Sequence, residues 1–378
     1  MVESSPSLRK NGEPTKKKLE WSLEEIMNYM RISVSLAATL WLLIIASDVL
    51  KPLMIAGFVV LLINALAATV TRSMYGPDRR PSRLSKGVSA LFFVCLFLVL
   101  TSLVATNAAE LRDALPLYEA NLDALIATVA ERFGLQGSFG IVELIAKIDL
   151  TSVFVGIAGT AASFIGAAIV ILFYTIFIFV EEGVVGKKLA AIVSDPERRG
   201  EVEEVISKIN REIERYLGIK LILGIVQAAP TYLILHVVGV DAAVFWTVII
   251  FFFSFIPTVG TLVGITFPSL MALVQFDTPQ PFLIVLGTLA SIQLLASNGL
   301  EPRLMGKSLN LSPLAIFLAI FAGGAIWGIV GALIVVPMLA VSVIVLARVP
   351  SMRPVAILLS SDGDIEDRDT SDAGFKAE

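Results

Sequence analysis

Four apolar stretches, VSLAATLWLLIIA, LMIAGFVVLLINALAATV, VSALFFVCLFLVLTSLVA and FIGAAIVILFYTIFIFV, approach or reach the ~20 residues an α-helix needs to cross hydrocarbon. Nothing else in the chain constrains its fold as tightly, because every peptide N–H and C=O inside a bilayer core must find a partner within the protein. Helices meet that demand segment by segment. The 378 residues are 56% hydrophobic with a mean hydropathy of +0.84, above the roughly 45–50% apolar content of soluble domains. The reading is an all-α polytopic membrane protein.

Lys and Arg orient such a chain, since they accumulate in inner loops. Five precede Arg31 (Arg9, Lys10, Lys16, Lys17 and Lys18), five lie in TRSMYGPDRRPSRLSKG, and eight lie in 181–220. The 108–150 segment has only Arg112, Arg132 and Lys147 against seven acids. The N-terminus, 71–87 and 181–217 are therefore expected inside, and 108–150 outside. The polar residues before the first run make it read as a signal anchor rather than a cleavable signal peptide. Cys95 is the only cysteine, so no intrachain disulfide forms.

These signals divide the chain into a polar cytoplasmic N-terminus (1–30), transmembrane helices 1–3 (31–107), an external amphipathic helical segment (108–150) and transmembrane helix 4 (151–180). A cytoplasmic amphipathic helix (181–217), a nearly uncharged core (218–348) and an acidic cytoplasmic tail (349–378), expected to be disordered, follow. In the external segment Tyr118, Leu122, Leu125, Ile126, Val129 and Phe133 recur at helical spacing; their stripe should lie on the membrane surface or on a neighbouring subunit. Asp195 and Pro196 have the chemistry of an N-cap and a first helical residue. The small residues Gly156, Gly159, Ala161, Ala162, Ser163, Gly166 and Ala167 permit close helix approach, so self-association is expected, with its number left open.

Between Leu221 and Leu300 the only acidic, basic or histidine residues are His236, Asp241 and Asp277. Within this stretch FSFIPTVGTLVGITFPSL carries two prolines and two glycines where an uninterrupted helix wants none. Pro257 removes a donor and clashes with the preceding turn, and irregular backbone at membrane depth survives only inside protein or beside a polar cavity. A broken hairpin over 241–275, entering from the outer side, is the expected result. A second, over 312–348, begins at the inner side and is expected to break at Gly323-Gly324 and at Pro337. The full expectation is about six spans plus two broken-helix, re-entrant-like hairpins entering from opposite sides, with both termini cytoplasmic. Inverted-repeat secondary transporters have this layout, with substrate bound near midplane.

The chain resembles the autoinducer-2 exporter family of prokaryotic membrane proteins. The likeness rests on an I-P-x-x-G break at Ile256, Pro257 and Gly260, and on a loop with Asn298, Pro302 and Gly306. A Gly-rich final hairpin with Gly324, Gly328 and Gly331, and the terminal Val336-Pro337, complete it. The last 130 residues of the membrane portion carry the specific resemblance, and the first half matches in layout. The resemblance implies a carrier in a prokaryotic cell (inner) membrane, with autoinducer-2 export and sodium/proton antiport both proposed in the family.

Pro257, Thr258, Gly260, Gly264, Asn298, Glu301, Pro302, Gly306, Gly324, Gly328, Gly331 and Pro337 are the expected pathway or hairpin-tip residues. For Pro257 and Gly260 the alternative is a kink that only lets helices pack. Glu301 either serves the cavity or pairs with Arg303 or Lys307 at the interface. Asp241 either caps the helix starting at Ala242 or binds a coupling ion, and His236 is expected at the interface. Gln227 and Gln293 lie in apolar runs, where they either bridge helices or meet substrate. No catalytic residue, cofactor or metal site is expected: MGKS at 305–308 lacks the first glycine and preceding strand of a phosphate loop, and one His with one Cys makes no ordinary zinc site. Nucleic acid has no matching basic surface. The partners expected are the bilayer and a small-molecule or ion substrate. The first reading is export of a small, polar, uncharged molecule such as autoinducer-2; the others are a sodium/proton antiporter using Glu301 or Asp241, and a non-transporting membrane scaffold.

Overall fold

The computed structural model describes residues 23–76, 82–132, 167–305 and 310–363. Among them almost every residue is helical and no strand forms; an isolated bridge pairs Leu311 with Ser360. The residues before 23, the remainder of the external segment (133–150), the start of the fourth run (151–166) and the residues from 364 lie outside this description; the tail expected to be disordered from 349 is ordered up to 363, with a helix over Arg353–Leu359 whose Ala356 is buried in the core. So do Gly306 and Lys307.

Helix α1 (Leu23–Ile45) belongs to a compact unit that ends at Ser47. The second unit carries α2 (Ser47–Tyr75), α3 (Arg83–Arg132), α4 (Ala167–Glu182) and α5 (Val185–Ile192). It continues through α6 (Pro196–Val238), α7 (Ala243–Phe253), α8 (Val259–Gln275) and α9 (Pro279–Leu295). A π-helical turn, Ala296–Leu300, joins α9 to α10 (Glu301–Met305). Then come α11 (Pro313–Trp327), α12 (Ile329–Ala347) and α13 (Arg353–Leu359).

Among the described residues four helices are long and apolar enough to cross a membrane: Ser47–Tyr75, Pro196–Val238, Pro279–Met305 and Ile329–Ala347. Ala167–Glu182 with Val185–Ile192, bent by 55°, makes a fifth if counted as one span. By contrast α7, with 11 residues, rises only about 16 Å at 1.5 Å per residue, half a hydrocarbon core. Helices of that length fit a broken segment and not a span.

Two boundaries differ from those expected. The third run and the first part of the external segment form one 50-residue helix, α3, with Pro116 inside it. The amphipathic helix expected on the cytoplasmic side and the run after it are likewise fused into the 43-residue α6. In both places the polar and apolar halves each have helical periodicity, and Gly218 at the junction in α6 serves a close contact with Thr69 of α2 instead of ending the helix. A change from polar to apolar sequence along the axis therefore does not end the helix.

Helix α6 is the spine. Asp195 accepts from the Glu197 N–H and Pro196 takes the first position, as expected. At the other end Gly239, at φ 82°, closes the helix: its N–H and that of Val240 reach back to the carbonyls of His236 and Leu235. Beside this end, Asp241 N–H donates to Gln275 Oε1, and Gln275 Nε2 donates to the Gly239 carbonyl. The base of the α7–α8 pair is thereby tied to the C-terminus of α6. The base of the α11–α12 pair lies toward the opposite end, where Arg348 pairs with Glu204 at 3.6 Å and Ser312 N–H donates to the Leu359 carbonyl. Residues 204 and 239 of one helix are about 50 Å apart. The bases of the two helix pairs lie toward opposite ends of α6.

Asp241 does not cap α7. Ala242, in a left-handed conformation at φ 54°, holds the cap position, and the Asp241 carboxylate accepts from the buried Tyr118 hydroxyl of α3 at 2.7 Å. Tyr118→Phe is expected to cost about 1–2 kcal/mol by losing this charge-assisted bond. The check is a lower thermal midpoint in detergent, matched by Asp241→Asn and not further lowered when the two are combined.

Candidate functional site: two breaks and a buried ion pair

The α7–α8 break spans Ser254 to Thr258, and its backbone groups largely satisfy one another. Ser254 and Phe255 N–H bond the Ile250 and Phe252 carbonyls, Ile256 N–H bonds Phe253, and Gly260 N–H bonds Ile256. Val259 N–H reaches the Pro257 carbonyl two residues back, at 2.7 Å, across Thr258 at φ 65° and ψ −51°. This is a γ-turn of the strained, positive-φ kind, rare for a β-branched residue. Phe255 and Ile256 are buried in the core cluster that also holds Phe58 of α2, Tyr216 and Leu217 of α6, and Ile334 and Val336 of α12. Strain of about 1–3 kcal/mol at Thr258 is held in place by that packing.

Two glycines on α8 set how closely its neighbours approach. At Gly260 a Cβ would fall on the carbonyl of Phe253, so only glycine fits the reversal. At Gly264 a Cβ would lie 2.8 Å from Gln293 Nε2 of α9 and 3.3 Å from Ile250 of α7. Gln293 is 1% exposed, and neither its amide nitrogen nor its oxygen has a hydrogen-bond partner. Each such buried group costs roughly 1–3 kcal/mol. A little further along, the Thr261 and Ser297 hydroxyls share a hydrogen bond at 3.1 Å.

At the π-helical turn, Glu301 meets a partner that its sequence neighbourhood does not suggest. Lys220 of α6 is 1% exposed; its Nζ donates to Glu301 Oε1 at 2.6 Å and to the Ser254 carbonyl at 3.1 Å. The Tyr216 hydroxyl, one turn earlier on α6, makes a long 3.5 Å contact to the Phe255 carbonyl. Three elements thus converge on one charge pair: α6, the first break, and the start of α10, directly after a π-helical turn of the kind often found at functional sites.

The geometry can be set beside known proteins. The sequence model described as AI-2E family transporter matches residues 33–351. The chain belongs to the AI-2E transporter family. This AI-2E member is similar to the AI-2 transport protein TqsA of Escherichia coli K12, at 24% identity over 326 residues covering 83% of this chain and 90% of TqsA. A Haemophilus influenzae protein described as a "Putative transport protein" is 24% identical over 355 residues, 91% of this chain and 99% of its own. One from Borreliella burgdorferi is 32% identical over 155 residues, 41% and 43% of the two chains. With several apolar spans, the AI-2E chain is a multi-pass helical membrane protein of a transport family.

In this AI-2E chain the structure gathers Pro257, Gly260, Gly264, Glu301 and Gln293 around the first break. Asn298 and Pro302 are exposed on the π-helical turn and α10, and Gly306 lies outside the described residues. In the second hairpin Gly328, at φ 66° and ψ −142°, is the apex between α11 and α12. Gly323-Gly324 and Pro337, expected as interruptions, both lie inside helices. Gly323 instead serves a crossing: a Cβ there would be 2.8 Å from the Gly331 carbonyl. A Cβ at Gly324 would meet nothing within 4 Å. Of the two readings open for Glu301, service to the cavity or pairing with Arg303 or Lys307, Lys307 lies outside the described residues; the partner the structure gives Glu301 is Lys220.

By sequence Lys220 is one of the eight basic residues of 181–220, with nothing nearby to pair it with Glu301. Its signal was present: Tyr216, Lys220, Gly224, Gln227 and Thr231 recur on one face of α6, and all five are buried. A stripe of Tyr, Lys, Gly, Gln and Thr on an otherwise apolar helix marks a face turned to protein. Gly224 shows how tightly it is turned, since a Cβ there would meet the Phe251 ring at 2.9 Å and Ser254 Oγ at 3.0 Å.

Proposed function

We propose that this protein is a secondary transporter of a prokaryotic inner membrane that exports a small, polar, uncharged molecule such as autoinducer-2. The two broken hairpins enter from opposite sides and form its substrate pathway. Residues 218–348 are the transport core, and lipid covers the exposed apolar faces of the other helices.

The observation that carries the reading is Gln293. A buried amide with both ends unbonded, facing a glycine that leaves it room, is costly for a fold and useful to a solute with hydroxyl or carbonyl groups. The inner end of α9 and the outer-entering α7–α8 hairpin meet at this level, as a midplane site between broken helices requires. The carboxylates an antiporter would titrate are both engaged, Glu301 by Lys220 and Asp241 by Tyr118, which favours the neutral solute.

The test separates binding from folding. Gln293→Leu is expected to keep or raise the thermal midpoint, because an unsatisfied amide is replaced by an apolar side chain of similar reach. It should lower uptake of autoinducer-2 into everted vesicles at least tenfold. Unchanged uptake by the folded variant would remove Gln293 from the pathway, and no uptake by the parent chain would remove autoinducer-2 as its substrate.

A further inference from the structure

We propose that Glu301 and the carbonyl oxygens at the end of α7 form a cation site whose resident cation is the Lys220 ammonium. The chain would thus carry within itself the charge that a coupling sodium ion would otherwise bring. The meaning of this for a transport cycle rests on the transporter reading above; the site itself does not.

The donor set points there first. Helix α7 ends at Phe253, and while backbone N–H groups take the carbonyls of Ile250, Phe252, Phe253, Ile256 and Pro257, none reaches those of Ser254 and Phe255, which lie at the negative end of the helix dipole. The Ser254 carbonyl and the Glu301 carboxylate face one point, and Lys220 Nζ occupies it at 3.1 and 2.6 Å. The Phe255 carbonyl and Tyr216 hydroxyl add two more oxygens in the adjoining layer. A carboxylate with freed carbonyls at a half-helix C-terminus is the donor class that holds sodium in carriers built from broken helices.

Burial points the same way. An ammonium 1% exposed is sustained only by a counter-charge and further acceptors, and here it has one of each. Lys220 is anchored on α6 while its acceptors belong to the break and the start of α10, so the cation is tethered to one element and its oxygens to two others. A sodium ion in that place would have to be bound and released in each cycle. A lysine stays.

An ordinary structural ion pair differs from this arrangement in one measurable respect: emptied of its lysine, a cation site accepts a metal ion. The full-length chain, purified in detergent, is unfolded thermally in sodium chloride and in choline chloride at equal ionic strength. The parent chain should give the same midpoint in both. Lys220→Met should melt lower than the parent in choline and recover with added sodium in a saturable way, by about 5 °C at a hundredfold excess over Kd. The double variant Lys220→Met with Glu301→Gln should fold and lose the sodium response.

Three results overturn the proposal. One is a Lys220→Met midpoint that ignores sodium. Another is a sodium response of the parent chain that Glu301→Gln abolishes, since the ion and the lysine would then bind side by side. The third is failure of Lys220→Met to fold in sodium, because the ion should stand in for the ammonium. A parent chain that moves no solute in vesicles would count against the transporter reading and leave all of these unfolding results as they are.

Discussion

Gly260→Ala is expected to cost about 3 kcal/mol or more and to abolish transport. The added methyl would land on the Phe253 carbonyl, which is backbone and itself bonded by the Ile256 N–H. Overpacking of side chains costs about 1–3 kcal/mol because they can shift; here the clash can be relieved only by opening the γ-turn at Thr258. That opening would pull Phe255 and Ile256 out of the core they share with α2, α6 and α12. Thermal unfolding in detergent should show a midpoint lowered by many degrees, with everted vesicles inactive. Gly264→Ala is the companion measurement. Its Cβ would meet the end of the Gln293 side chain, which can rotate away, so the variant should fold while its transport falls. Equal, small effects of the two substitutions on stability would mean that the break is not the rigid reversal described.

Gly331→Ala should be nearly as severe, and Gly324→Ala close to neutral. A Cβ on Gly331 would fall on the Gly323 carbonyl, where α11 and α12 touch backbone to backbone. Small residues allow such approach in lipid, where dispersion and close packing hold helices together. Forcing the helices apart would strip contacts along the whole hairpin, for a loss of about 3 kcal/mol. Gly324 lies in the same helix, one residue from that contact, with open space above it. Alanine there should stabilise by up to about 1 kcal/mol through better helix propensity. Thermal midpoints of the two single variants, compared with each other, read the difference directly. A neutral Gly331→Ala would remove the backbone contact as the element that holds the hairpin closed.

These pairs also show how far the residues could be read before the fold was known. The break at Pro257 was legible because proline and glycine act on their own neighbours: one deletes a donor, the other permits a reversal. Gly323-Gly324 had the same local signature and misled, because a glycine in a helix can serve a neighbouring helix instead of ending its own. Pro337 misled similarly, sitting buried inside α12, since packed neighbours make a proline tolerable in an apolar helix. The apex at Gly328 was among the expected tip residues but could not be told from Gly324.

Lys220 shows the other limit. Four residues from Tyr216 and seven from Gln227, it lay on a polar stripe that periodicity exposes. Its position next to a basic inner segment made a solvated cation the simpler reading. Its partner is 81 residues away along the chain, beyond any pattern of spacing. Asp241 is a similar case: its position before α7 suggested a cap, and a tyrosine 123 residues earlier took the carboxylate instead.

Helical class, the apolar spans, the first break and the family resemblance follow from interactions between near neighbours, which any stretch of residues carries wherever it sits. Which glycines are contacts and which are merely spacers, and which charge answers which, was decided by tertiary packing. In an interior of low dielectric a buried charge or an orphaned amide is stabilised only by the group placed against it in space, and that placement is a property of the assembled helices.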